Sequence, residues 1–237
     1  MRHLQLWMLA LAGAVPALAQ ATVDQVLEKY AQALGGQSAY EKVTARTMKG
    51  TVEIPDDNVT GTAQVWAKAP GSYRMSLEIP GYGVIETVLD GDNGWKKDPD
   101  SGTHTMSKTD LAIAQRDRAF HREVRLKELY PKMAVLAGEN LNGHPVSILE
   151  ATPASGPAEK FYFDSETGLL VKQDFERITL EDGIVQYEVF YRDYKDVDGL
   201  KLPGTIEQHS PDSTMIFKFT EIKNNATLDD NVFGKPK

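Results

Sequence analysis

Apolar residues recur at helical spacing at Val23, Val26, Leu27, Tyr30, Ala31 and Leu34, which predicts an opening helix with one packing face. Thr22 stands at the N-cap, Asp24 and Glu28 sit where the helix dipole favours acids, and Gly35-Gly36 ends the run. After Val43 the period changes to two. Met48, Gly50, Val52 and Ile54 alternate with Thr47, Lys49, Thr51 and Glu53. A second strand over 59–69 puts Gly61, Ala63, Val65 and Ala67 on one face, with Trp66 on the opposite parity. A third places Tyr73, Met75, Leu77 and Ile79 together, residues 84–89 make a fourth, and Trp95 opens a short fifth. Turn residues separate these runs at Pro55–Asn58, Pro70-Gly71, Pro80-Gly81 and Asp90–Gly94.

Residues 107–130 break this rhythm. The segment is rich in helix formers, and its apolar residues are Leu111, Ile113, Ala114, Phe120, Val124, Leu126, Leu129 and Tyr130. Arg116 and Arg118 interrupt the stripe, so two short helices or one bent helix are expected. Strands then resume over 134–141 and 146–152 around Asn142-Gly143, then 160–163 and 169–175. A strand ending near Leu180 is joined through Asp182-Gly183 to one over 184–194, followed by 200–209 and 214–222. The expectation is a mainly β protein with some helix: about ten to twelve strands in a curved antiparallel sheet, an N-terminal helix and a central helical lid.

Residues 1–19 read as a secretory signal: Arg2 and His3, an apolar run from Leu4, Pro16, then the small-x-small site Ala17-Leu18-Ala19. The remaining residues 20–237 fit one domain. With a formal charge of −8 over 237 residues, the chain is not built to bind nucleic acid, which needs clustered Lys and Arg. It has no cysteine, so disulfides, thiol catalysis and cysteine metal sites are excluded.

Catalytic chemistry finds little support. His104, His121, His144 and His209 form no metal-ligand spacing, and no Gly-rich phosphate loop or nucleophile elbow is present. Asp90-Gly91-Asp92-Asn93-Gly94 lacks the spacing of a calcium loop and reads as a hairpin turn. Charge placement is more informative. Lys108, Arg116, Arg118, Arg122, Arg125, Lys127 and Lys132 outnumber Asp110, Asp117, Glu123 and Glu128 in an otherwise acidic chain.

The segments Phe161-Tyr162-Phe163-Asp164, Gly168-Leu169-Leu170-Val171-Lys172 and Tyr191-Arg192-Asp193-Tyr194-Lys195-Asp196-Val197-Asp198-Gly199-Leu200-Lys201-Leu202-Pro203 resemble the LolA/LolB-like periplasmic carriers of lipoproteins and lipids, often labelled outer-membrane lipoprotein-sorting proteins. The tail from Ile222-Lys223-Asn224-Asn225 to Asp229-Asp230-Asn231-Val232-Phe233 shares the likeness. The resemblance implies an unclosed half β-barrel with a helical lid over an apolar cavity that takes acyl chains.

The sequence therefore leads to a non-enzymatic, monomeric carrier of lipid or lipoprotein acyl chains in the periplasm of a Gram-negative-type bacterium, with no cofactor and no metal. Met48, Val52, Ala63, Val65, Tyr73, Met75, Leu77, Tyr187, Val189, Phe217 and Phe219 are expected to line the cavity. Phe120, Val124 and Leu129 are expected in the lid, and Arg118, Arg122 and Arg125 at anionic headgroups. A protein-binding scaffold on the same fold is the alternative, and an envelope hydrolase a more distant one.

Overall fold

The computed structural model describes residues 21–179 and 183–237. The expected signal segment and the turn residue Asp182 lie outside the described residues. Helix α1 (Val23–Ala33) starts on a capping box in which the Thr22 hydroxyl accepts from the Gln25 amide and the Gln25 side chain accepts from the Thr22 amide. A short helix α2 (Gln37–Tyr40) follows.

Six strands then form an antiparallel meander: β1 (Ala45–Ile54), β2 (Val59–Lys68), β3 (Ser72–Ile79), β4 (Gly83–Asp90), β5 (Asn93–Asp98) and β6 (Gly102–Thr105). The helical segment comes next as α3 (Lys108–Asp117), a 3-10 turn (Arg122–Val124) and α4 (Leu126–Leu129). A second arm follows with β7 (Lys132–Leu141), β8 (His144–Thr152), β9 (Glu159–Asp164), β10 (Leu170–Thr179) and β11 (Gly183–Arg192). A small hairpin of β12 (Lys195–Val197) and β13 (Leu200–Leu202) precedes β14 (Thr205–His209) and β15 (Thr214–Asn224).

Thirteen of these strands form one sheet in the order β6-β5-β4-β3-β2-β1-β15-β14-β11-β10-β9-β8-β7, not closed into a barrel. Its two arms meet at β1 and β15, and β6 and β7 are its outermost strands among the described residues. The helical segment connects those two strands, so it spans the open side of the half-barrel. Gly50 sits at the β1–β15 seam where the register slips by one residue. A Cβ there would lie 1.9 Å from the Lys218 carbonyl oxygen, so only glycine fits.

Strands number fifteen among the described residues rather than ten to twelve. β6 went unseen because Gly-Thr-His-Thr carries no apolar alternation. Within the turn expected over Asp90–Gly94, the two turn residues are Gly91 and Asp92, because Asn93 already pairs with Asp90. The single strand expected over 200–209 is broken at Pro203-Gly204, where proline has no amide to donate and a Cβ on Gly204 would meet the Asp193 carbonyl at 2.7 Å. Conversely, residues 170–179 form one long strand rather than two pieces.

The core has two main clusters on the sheet's inner face. In the first, Val26, Tyr30 and Leu34 of α1 pack with Phe120, Leu126 and Tyr130 on Leu149, Phe161 and Phe163 of β8 and β9. The rings of Tyr30 and Phe163 lie 5.0 Å apart. Leu200 and Leu202 of the small hairpin close the same cluster, and the Lys201 amide donates to the Leu34 carbonyl at 3.0 Å. In the second, Val52, Ala63, Val65, Tyr73, Leu77, Leu89 and Phe219 meet Met106 and, from α3, Leu111 and Ala114.

Candidate functional site

Strand register assigns all eleven expected lining residues to the helix-covered face. One row of Cα partners runs Val135, Leu149, Phe161, Gln173, Val189, Gln208, Met215 from β7 to β15. The neighbouring row runs Tyr191, Ile206, Phe217, Val52, Gly61 into β2. Ala63, Val65, Tyr73, Met75 and Leu77 continue the same face across β2 and β3. Trp66 points the other way, between Thr47 and Arg74.

Coverage of this face is uneven. Val52, Ala63, Leu77 and Phe219 are buried, whereas Met48, Met75, Tyr187 and Phe217 are only half-buried, as are Ile206 and Met215. Phe175 and Tyr187 stack at 5.1 Å beside them. Two grooves formed by described residues lie elsewhere and are polar. One, of about 400 Å³, is bordered by Arg74, Glu86, Lys97 and the C-terminal Lys235–Lys237. The other, of about 490 Å³, lies between β12 and β15.

The helical cover over this face is discontinuous. Helix α3 has no buried residue, and the segment is interrupted by a left-handed residue at His121 (φ 60°). Phe120 is buried in the first cluster, and Val124 and Leu129 pack partly against it. Leu111 and Ala114 are the residues that reach the second cluster. The sequence reading missed that role, although both lie on the apolar stripe of α3.

The basic residues of this segment do three different things. Arg125 donates to Glu128 and to the Phe120 carbonyl at 3.2 Å. Arg118 is exposed, its guanidinium 5.5 Å from the centre of the Tyr73 ring. Arg122 points inward, with its guanidinium 5.3 Å from the centre of the Phe161 ring.

Around Arg122 lies a charged network that the sequence reading did not foresee. Glu159, on the inner face of β9, is 1% exposed yet ionic partners surround it. It accepts from Arg116 at 2.8 Å and Arg177 at 3.3 Å through Oε1, and from Tyr130 at 2.7 Å and Gln173 at 2.8 Å through Oε2. Asp117 joins it by pairing with Arg116 at 3.1 Å and Arg177 at 2.6 Å. Tyr191 donates to Gln173 at 2.9 Å. Burial raises the pKa values of Tyr130 and Tyr191, so both remain hydroxyl donors. Burial works against the Arg122 charge, but Tyr130, Tyr191, Asp117 and Glu159 outweigh it and keep the group cationic.

No family model matches this sequence, and no curated protein matches it. Solved structures do. A LolA superfamily protein from Nitrosomonas europaea is 16% identical with a TM-score of 0.60, over 91% of this chain and 98% of its own. A DUF1329 family protein from Desulfovibrio piger is 14% identical with a TM-score of 0.61, over 90% and 97%. A domain from Vibrio parahaemolyticus named for outer membrane lipoprotein sorting is 13% identical with a TM-score of 0.56, over 87% and 97%. The chain has the LolA-like fold. No helix of the described residues is long and apolar enough to cross a membrane.

Proposed function

We propose that this protein is a non-catalytic carrier or binding protein of the bacterial envelope that holds lipid or lipoprotein acyl chains against the inner face of its half-barrel. The observation that carries this reading is the patch of half-buried apolar residues, Met48, Met75, Ile206, Met215 and Phe217, on the face that the broken helical segment covers. Each methylene placed there gains about 0.8 kcal/mol, so a chain of moderate length repays displacement of the cover. Methionine at three of these positions suits cargo of variable shape. The LolA-like fold supports the same reading.

The test uses the absence of native cysteine. Asp24 on α1 and Lys127 on α4 form an exposed ion pair. Cysteines at both positions, joined by a short bis-maleimide, pin the cover to α1. Fluorescent fatty-acid binding should fall about tenfold or more on cross-linking, while the uncoupled double variant binds like wild type. Lack of binding by delipidated wild-type protein would overturn the reading.

A second reading, a protein-docking module, is favoured by the β10–β11 hairpin. Its end extends past the pairing of both flanking strands and presents Ile178 and Ile184, 73% and 64% exposed and directly opposite each other.

A further inference from the structure

The network around Glu159 does not balance. Among the described residues, three guanidinium groups, Arg116, Arg122 and Arg177, face two carboxylates, Asp117 and Glu159. One positive charge is therefore left over in a largely buried setting, where an uncompensated ion is costly. The shortfall can be assigned to one residue. Arg116 donates to Glu159 at 2.8 Å and Asp117 at 3.2 Å, and Arg177 donates to Asp117 at 2.6 Å and to the Glu176 carbonyl at 2.8 Å. Among the described residues the Arg122 side chain makes a single hydrogen bond, to the Tyr130 hydroxyl at 3.0 Å, and its nearest carboxylate oxygen is 3.9 Å away. Its Nε is buried with no partner. A guanidinium has five N–H donors in a planar fork that matches a carboxylate or phosphate.

The position matters as much as the charge. Arg122 lies on the ring of Phe161, and the network's Gln173 shares a row with Val189, Gln208 and Met215. Tyr191, bonded to Gln173, begins the row through Ile206 and Phe217. Adjacent strands are about 4.8 Å apart, so the half-buried apolar strip begins within about 10 Å of the network.

We propose that Arg122 is an interior anion site, and that the cargo is an amphiphile with a single anionic head, carboxylate or phosphate, bound head-inward with its tail along Ile206, Phe217 and Met215. This rests on the carrier reading and narrows it: neutral acyl chains of the same length bind less well. Of the three arginines expected at anionic headgroups, Arg122 would then meet the head inside the half-barrel.

The experiment compares cis-parinaric acid with its methyl ester by fluorescence titration of the delipidated protein, for wild type, Arg122→Met and Arg122→Lys. Wild type should bind the acid about tenfold more tightly than the ester. Arg122→Met should bring the acid to the level of the ester and leave the ester unchanged, and Arg122→Lys should fall between. Inorganic phosphate, which has no tail, should compete with the acid but not with the ester. Equal affinity for acid and ester in wild type, which needs no variant to fold, overturns the anion site while leaving the carrier reading intact. A preference for the acid that survives Arg122→Met also overturns it. Failure to bind either probe removes the carrier reading and the anion site together.

Discussion

Tyr130, two residues before β7 begins at Lys132, donates its hydroxyl to the buried carboxylate of Glu159 at 2.7 Å. The same oxygen accepts from Arg122 at 3.0 Å, so one phenol joins the helical cover to the charged network. Tyr130→Phe removes both bonds with little change of volume. The expected loss is about 1–3 kcal/mol, read as a lower urea midpoint at constant m. Glu159→Ala strands the arginines and should cost more, about 3–5 kcal/mol. If Glu159→Ala is as mild as Tyr130→Phe, the network is not a stabilising unit.

His121 gives the fold a pH dependence. Burial lowers its pKa below the ordinary 6.5, with Arg46 and Arg125 acting in the same direction and the Val43 carbonyl and Glu123 opposing them. Its Nε2 lies 2.8 Å from the Val43 carbonyl and therefore carries the proton, while Nδ1 is buried without a partner. Protonation would add a donor at Nδ1 with nothing to accept it. The unfolded chain takes up this proton first, so stability is lost as pH falls from 6.5 toward the depressed folded value, and is flat with respect to His121 above 6.5. Asparagine tolerates the left-handed backbone there, so His121→Asn should flatten the slope of the urea midpoint in that window. An unchanged slope would assign the pH dependence to another group.

Glycine at the seam is more critical than glycine near the cover. Gly50→Ala places a methyl 1.9 Å from a backbone oxygen and should lower stability by about 2 kcal/mol or more, because neither strand can retreat. Gly94→Ala meets the ends of two flexible side chains, Met106 at 2.7 Å and Leu111 at 2.8 Å. It should cost about 1 kcal/mol and loosen the start of the cover. Thermal melts and amide exchange over 106–114 separate the two effects.

The protruding hairpin should tolerate change. Ile178→Ser with Ile184→Ser removes two exposed side chains that pack on no core cluster. Stability should stay within about 0.5 kcal/mol, and any self-association should weaken in sedimentation velocity runs. A large drop in melting temperature would show that the pair is structural.

Period-two alternation made the sheet legible, because a half-buried strand must separate apolar from polar side chains. Ala63, Val65 and Leu77 needed no more than parity to be placed on the right face. β6 and the kink at Pro203 escaped because neither shows in hydropathy. The charged network escaped for a different reason: its members lie up to 61 residues apart, from Arg116 to Arg177, and only tertiary packing gathers them. A signal was nevertheless present. Glu159 shares the parity of Phe161 and Phe163, and Arg177 that of Phe175, so both are charges on an apolar face. The arginine that broke the apolar stripe of the helical segment, Arg116, was part of the same pattern.

The crossing from β6 to β7 has a mechanical consequence. The two arms share a single hinge line, so the distance between their outer rims is limited by the length of the strap that joins them. Residues added to or removed from this strap would widen or narrow the gap between the rims, and within 118–125 they would also displace Phe120 and Arg122, which pack inside it. On the proposed carrier reading, strap length is thus a determinant of cargo girth beside the chemistry of the wall.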